Sequence, residues 1–170
     1  MQVPANAKPG THWCVLFFDG APAKAPPPGV NLATFRIRVG ETLYINVETL
    51  DEKGAVAGLI TQPPTKTGDP YMLVVQYANP GNQVQWVQGK VELRNAQGDV
   101  IRTVPVKGFA SLPGAPRNIK VAFYGPLPAG TYAALAVFDY GNAVTQVAGQ
   151  ATFTLKEPLA APASGGANKK

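Results

Sequence analysis

His12 and Cys14 stand two residues apart, a spacing that puts both side chains on one face of an extended chain. An imidazole beside a thiol is the arrangement that makes a thiolate nucleophile. The pair has no visible orienting group or oxyanion donor, and His12 is the only histidine, so packing is the better expectation and no metal site is implied. The 10 Asp and Glu are dispersed along the chain and give no paired acid and base in sequence. Ser111 and Ser164 are the serines, one in a turn and one near the end, and neither sits in a nucleophile-elbow context. Glycine-rich phosphate loops are lacking too. The sequence therefore predicts no catalysis, no metal and no cofactor, and points to binding instead.

The candidate binding residues lie in one alternating segment. Between Leu32 and Val39, Ala33, Phe35, Ile37 and Val39 point one way, while Thr34, Arg36 and Arg38 point the other. One face reads as apolar contact surface and the other as wet. Arg36 and Arg38 suit an anion or a polar partner group, although two solvated charges on an outer strand face explain them as well. Trp86 with Tyr77 is a conceivable aromatic platform for a glycan, against a reading of Trp86 as packing at a strand end.

The elements that must position these residues are strands. Hydrophobic residues make up 45% of the chain and charged ones 15%, which is a globular composition, and 17 Pro with 18 Gly break up any helical periodicity. Period two is clearest at Leu32 to Val39 and Val147 to Leu155, and further strands are expected at His12 to Phe18, apolar on both faces, and at Thr42 to Glu48, Ala55 to Thr61, Tyr71 to Ala78, Val87 to Arg94, Val100 to Val104, Asn118 to Tyr124 and Thr131 to Asp139. Turn residues fall between them at Asn79-Pro80-Gly81-Asn82, Ala96-Gln97-Gly98-Asp99 and Leu112-Pro113-Gly114. Without room for crossover helices the connections should be antiparallel. Ala21 to Gly29 and Gln62 to Pro70 read as Pro-rich loops and Glu157 to Lys170 as a flexible tail.

The fold class expected is all-β, an immunoglobulin-like β-sandwich with a partial second sandwich on its N-terminal side. Residues 55–156 offer about seven strands in about 100 residues, the size of one complete immunoglobulin-like domain. Tyr132, after Pro128-Ala129-Gly130-Thr131, is either a tyrosine corner or an ordinary hairpin tyrosine. Residues 1–54 supply three strands at most, rich in Trp13, Val15, Phe17, Phe35, Ile37, Leu43 and Ile45, and should need strands from elsewhere to complete them.

The net charge of +5 is spread from Lys8 to Lys170 without the basic stripe that nucleic acid requires. No apolar run is long enough to span a bilayer as a helix, and the first residues lack the basic and apolar regions of a signal peptide. With one cysteine, the chain cannot form an intrachain disulfide.

The order of segments resembles the PapD-like periplasmic chaperones of pilus assembly, which carry two immunoglobulin-like domains. His12-Trp13-Cys14-Val15-Leu16-Phe17-Phe18 is similar to the family's aromatic-rich penultimate strand of the first domain, Ala21 to Gly29 to its Pro-containing loop, and Asn31 to Ile45 to its long alternating strand. Pro128 to Tyr132, Asp139-Tyr140-Gly141 and Gly149 to Phe153 resemble the end of the second domain, so the likeness covers most of residues 11–155. It implies a chaperone-like protein of the periplasm or cell surface that takes a client segment, such as a pilin, by β-strand addition through Ala33, Phe35, Ile37 and Val39. The family's basic anchor for the client carboxylate has no counterpart, since the first strand is missing and the lysine position falls near Gly40 or Glu41. Two other expectations stand beside it: a structural subunit of an appendage or envelope assembly, a homo-oligomer whose open edges are filled by neighbouring copies, and an immunoglobulin-like glycan-binding module.

Overall fold

The structure is a computed structural model, and it describes residues 2–20, 35–141 and 145–161. The described residues form nine strands, joined in antiparallel pairs throughout, and the chain divides into two compact units, Met1–Leu50 and Asp51–Lys170. Among the described residues no helix is long and apolar enough to cross a membrane.

The first unit holds β1 (Gly10–Gly20) and β2 (Ile37–Val47), paired along their whole length from Gly10 opposite Val47 to Gly20 opposite Ile37. The alternation from Leu32 onward and the run from Thr42 predict two strands, but the structure makes one continuous strand through Gly40 and Glu41. Strand geometry begins only at Ile37, after Phe35 and Arg36, and ends before Glu48. The pairing partner explains the continuity, because β1 stays in register across Gly40 and leaves no turn to make there. The Ala21 to Gly29 loop and residues 32–34 lie outside the described residues.

The second unit is a β-sandwich. Its strands are β3 (Ala55–Gln62), β4 (Tyr71–Ala78), β5 (Gln85–Arg94), β6 (Val100–Ser111), β7 (Arg117–Phe123), β8 (Gly130–Tyr140) and β9 (Thr145–Leu155). One sheet has the order β3-β4-β7 and the other β6-β5-β8-β9. Alternation drives the packing. Tyr71, Leu73, Val75 and Tyr77 of β4 face Tyr132, Ala134, Ala136, Phe138 and Tyr140 of β8 in one core that Val87, Val91, Val121, Phe123 and Phe153 complete. The small Ala134 and Ala136 leave space for rings, and the Tyr71 and Phe153 rings stack with centroids 4.1 Å apart. Tyr77 meets Phe109 and Phe138 edge to face, each at 5.7 Å. The buried Tyr132 hydroxyl donates to the Pro128 carbonyl oxygen at 2.7 Å, the backward contact of a tyrosine corner.

Two expectations are corrected here. The strand read as Val100 to Val104 runs on to Ser111, through Pro105 and Gly108. Proline is tolerated because β6 is an edge strand with no further ladder to serve on its outer side. The register between β5 and β6 slips between Val87 and Gly89, where an added Cβ on Gly89 would sit 2.2 Å from the Val137 carbonyl oxygen. The tail read as starting at Glu157 is ordered at first: Leu159 exchanges backbone hydrogen bonds with Leu127 at 2.8 and 3.1 Å and buries its side chain in the core. Residues 162–170 lie outside the described residues.

Leu159→Ala empties part of that core and should cost about 2–5 kcal/mol. It is read as a fall in the urea midpoint at unchanged slope. An unchanged midpoint would mean that the segment after β9 contributes nothing to the sandwich.

Candidate functional site

Residues facing each other across an antiparallel pair share a face, so the β1–β2 register sorts this hairpin into two surfaces. One carries Cys14, Leu16, Phe18, Ile37, Val39, Leu43 and Ile45, with Glu41 and His12. The other carries Trp13, Val15, Phe17, Thr42 and Tyr44, closed at the base by Thr11 with Asn46 and at the far end by Asp19 with Arg38.

Both surfaces are open. Ile37 is 69% exposed, Val39 56%, Phe18 61% and Phe17 62%, and Phe35, just before the strand, reaches 82%. In the second unit large apolar side chains alternate into a core, whereas here they alternate between two exposed faces. At the base of the first face Val3, Pro4 and Ala7 enclose a hollow of about 300 Å³ against His12, Ile45 and Val47.

Of the residues singled out in sequence, Phe35, Arg36, Ile37, Arg38 and Val39 are described and exposed, and Ala33 lies outside the described residues. Ile37 and Val39 share their face with Leu16 and Phe18, which the single-strand reading left out. The apolar run Val15 to Phe18 was the signal for them, since four consecutive apolar residues give both faces of a strand something to bury. The expected division into one apolar and one wet face is corrected: the face of Arg38 also carries Trp13, Val15, Phe17 and Tyr44, because β1 contributes apolar residues to both sides.

Arg38 is not a free anion site. Its Nε and a terminal nitrogen donate to the two carboxylate oxygens of Asp19 at 2.6 and 3.0 Å, and the guanidinium lies 5.5 Å from the centre of the Phe17 ring. This fork holds the Asp19 carboxyl below its ordinary range and raises Arg38.

His12 and Cys14 do share a face, but His12 Nε2 donates to the Lys8 carbonyl oxygen at 2.9 Å, which ties the imidazole to the backbone. Cys14 stands opposite Leu43 on the exposed apolar surface. Among the described residues no group of three His, Cys, Asp or Glu is placed to hold a metal ion. The Trp86 and Tyr77 platform is corrected as well. Trp86 is 65% exposed, but Tyr77 is fully buried with its hydroxyl donating to Gln85 Oε1 at 2.9 Å, so the two rings present no joint surface. Burial pushes the Tyr77 phenol up, with Tyr140 and Glu52 adding to the shift.

No family model matches this chain, and no curated protein matches it.

The Asp19 carboxyl should titrate below the usual carboxylate range and return to it in Arg38→Gln, as read by carboxyl NMR shifts. A group with a lowered folded pKa stabilises the fold above its unfolded value of about 3.9 and loses that contribution as pH falls through the folded value. The end of the β1–β2 pair that holds Asp19 and Arg38 is therefore expected to lose that contribution on acidification. Identical titration of Asp19 in both proteins would mean that the fork is not formed in solution.

Proposed function

We propose that this chain is a non-enzymatic, chaperone-like binding protein of the bacterial envelope, whose β1–β2 unit takes an extended segment of a partner protein by β-strand addition. The observation that carries the reading is that, among the described residues, two open strand edges and two exposed apolar faces occur together on one hairpin. Two strands without a facing layer are marginal in water, and contiguous apolar surface beyond a few hundred Å² marks an interaction site. Added strands supply backbone hydrogen bonds along the edge, and their side chains cover alternate positions such as Ile37 and Val39.

The immunoglobulin-like character of the sandwich, its kinship to PapD-like chaperones and its place in the periplasm or at the cell surface belong to the same proposal. They are supported by seven strands split between sheets of three and four, by the Tyr132 to Pro128 contact and by the likeness of segment order. A structural subunit of an appendage is the second reading, and it is favoured by the hairpin having, among the described residues, an unpaired edge on each side, so that neighbours can add at both.

Hydrogen exchange on the full chain tests the proposal. In a verified monomer the amides of residues 37–47 should exchange much faster than those of β8, and they should gain protection when the partner is bound. Ile37→Asp should abolish that gain while leaving β8 protected, because it would bury an unpaired carboxylate at the new interface. Protection of β2 equal to that of β8 in the monomer would contradict the reading.

A further inference from the structure

We propose that the strand taken up by β2 is β2 of a second copy of this chain. It pairs antiparallel about a twofold axis at Thr42, so that two hairpins make one four-stranded sheet in the order β1-β2-β2-β1. This rests on the reading that the β2 edge accepts a strand, and it names the partner.

Length sets the register first. β2 runs from Ile37 to Val47, and 11 residues overlap their own antiparallel copy completely only when the middle residue, Thr42, lies on the axis. A twofold axis perpendicular to the sheet keeps each face on its own side. Ile37 then stands opposite Val47 and Val39 opposite Ile45, apolar pairs on the face that already holds Leu16 and Phe18. On the other face Thr42 meets Thr42, and Gly40 meets Tyr44. An added Cβ on Gly40 would lie 3.0 Å from the Phe17 ring, so that ring already covers the glycine, and the second copy's tyrosine comes to lie beside Phe17.

Charge selects the same register. Just beyond the strand ends, Arg36 falls opposite Glu48 of the second copy, and symmetry makes the contact twice. Moving the axis to Glu41 would set two like charges directly opposite each other. Moving it to Leu43 would bring Glu48 to Arg38, whose guanidinium already forks onto Asp19, and would leave Ile37 beyond the partner strand. A hairpin of two strands becomes a sheet of four, which crosses the threshold for independent stability.

Single-cysteine crosslinking of the full chain reads the axis directly. In a Cys14→Ser background, Thr42→Cys places two Cα atoms about 4.5–5.5 Å apart across the axis, within disulfide range. Glu41→Cys and Leu43→Cys each place their own pair on a diagonal of about 7–8 Å, beyond it. Mild oxidation should give a covalent dimer with Thr42→Cys and monomer with the other two. All three positions are exposed, so no core residue is lost.

The unmodified chain supplies a readout independent of these variants: light scattering should find a concentration-dependent dimer. Arg36→Glu should weaken it at least about fivefold, and Arg36→Glu with Glu48→Arg should restore it. A crosslink at residue 43 or 41 in place of 42 overturns the register proposed. A monomer at every concentration with freely exchanging β2 amides overturns the self-pairing and leaves strand addition from another protein standing. A monomer with β2 protected like β8 overturns both.

Discussion

A β-sheet with an apolar face is stable only when another layer lies against that face, and among the described residues the second unit of this chain supplies that layer from itself while the first does not. In the second unit β4 and β8 each present a row of alternating apolar side chains, and the rows interdigitate: Leu73 and Val75 come from one sheet, Ala134, Ala136 and Phe138 from the other. Each of these five side chains has no solvent exposure. At about 1.5–3 kcal/mol for each large apolar side chain buried, this core can hold its sheets together without help. The hairpin has comparable residues and no second layer among the described residues of its unit. Phe17, Phe18, Ile37 and Val39 contribute little while they remain in water.

Polar residues finish the sandwich where alternation stops. Asn79 is buried at the turn after β4; its amide nitrogen donates to the carbonyl oxygens of Gln83 at 2.8 Å and Ser111 at 3.0 Å, and its amide oxygen accepts from the Gly81 N–H at 3.1 Å. One side chain thereby satisfies backbone groups of its own turn and of the last residue of β6, which an apolar residue of the same size cannot do. On β5 the carboxylate of Glu92, whose side chain is 11% exposed, takes Lys90 on one oxygen at 2.7 Å and Arg94 on the other at 2.6 Å. Hydrogen bonds from those two cations hold its carboxyl below the ordinary range against the cost of burial.

Most of the sandwich was legible because its information is local. Tyr71 to Ala78 and Thr131 to Asp139 are short apolar runs bounded by turn residues, the mark of a buried strand, and the turn at Ala96 to Asp99 carries Gly98 at φ 89°, a conformation glycine adopts without strain. What was not legible depended on neighbours in space. Pro105 reads as the end of a strand unless one knows that β6 lies at the edge, and Leu159 reads as tail unless Leu127 is known to pair with it. The binding candidates were half legible. Alternation named Ile37 and Val39, but only the cross-strand register puts Leu16 and Phe18 beside them and pairs Arg38 with Asp19. An exposed apolar residue also has the same letter as a buried one, so sequence alone marked the hairpin as short of partners by counting strands.

The sandwich is stabilised by its own core, and the hairpin is proposed to be stabilised by a partner. Trp13 lies in the hairpin and Trp86 in the sandwich, so Trp86→Phe and Trp13→Phe each leave one reporter. The decisive measurement is urea unfolding of these two proteins by tryptophan fluorescence, at a dilution where each is verified to be monomeric. Trp86 should report a cooperative transition and Trp13 a broad change that is complete at much lower urea. Coincident, equally steep transitions from both tryptophans in the monomer would contradict that proposal, since they would mean that the hairpin unfolds as part of a single cooperative structure with no partner.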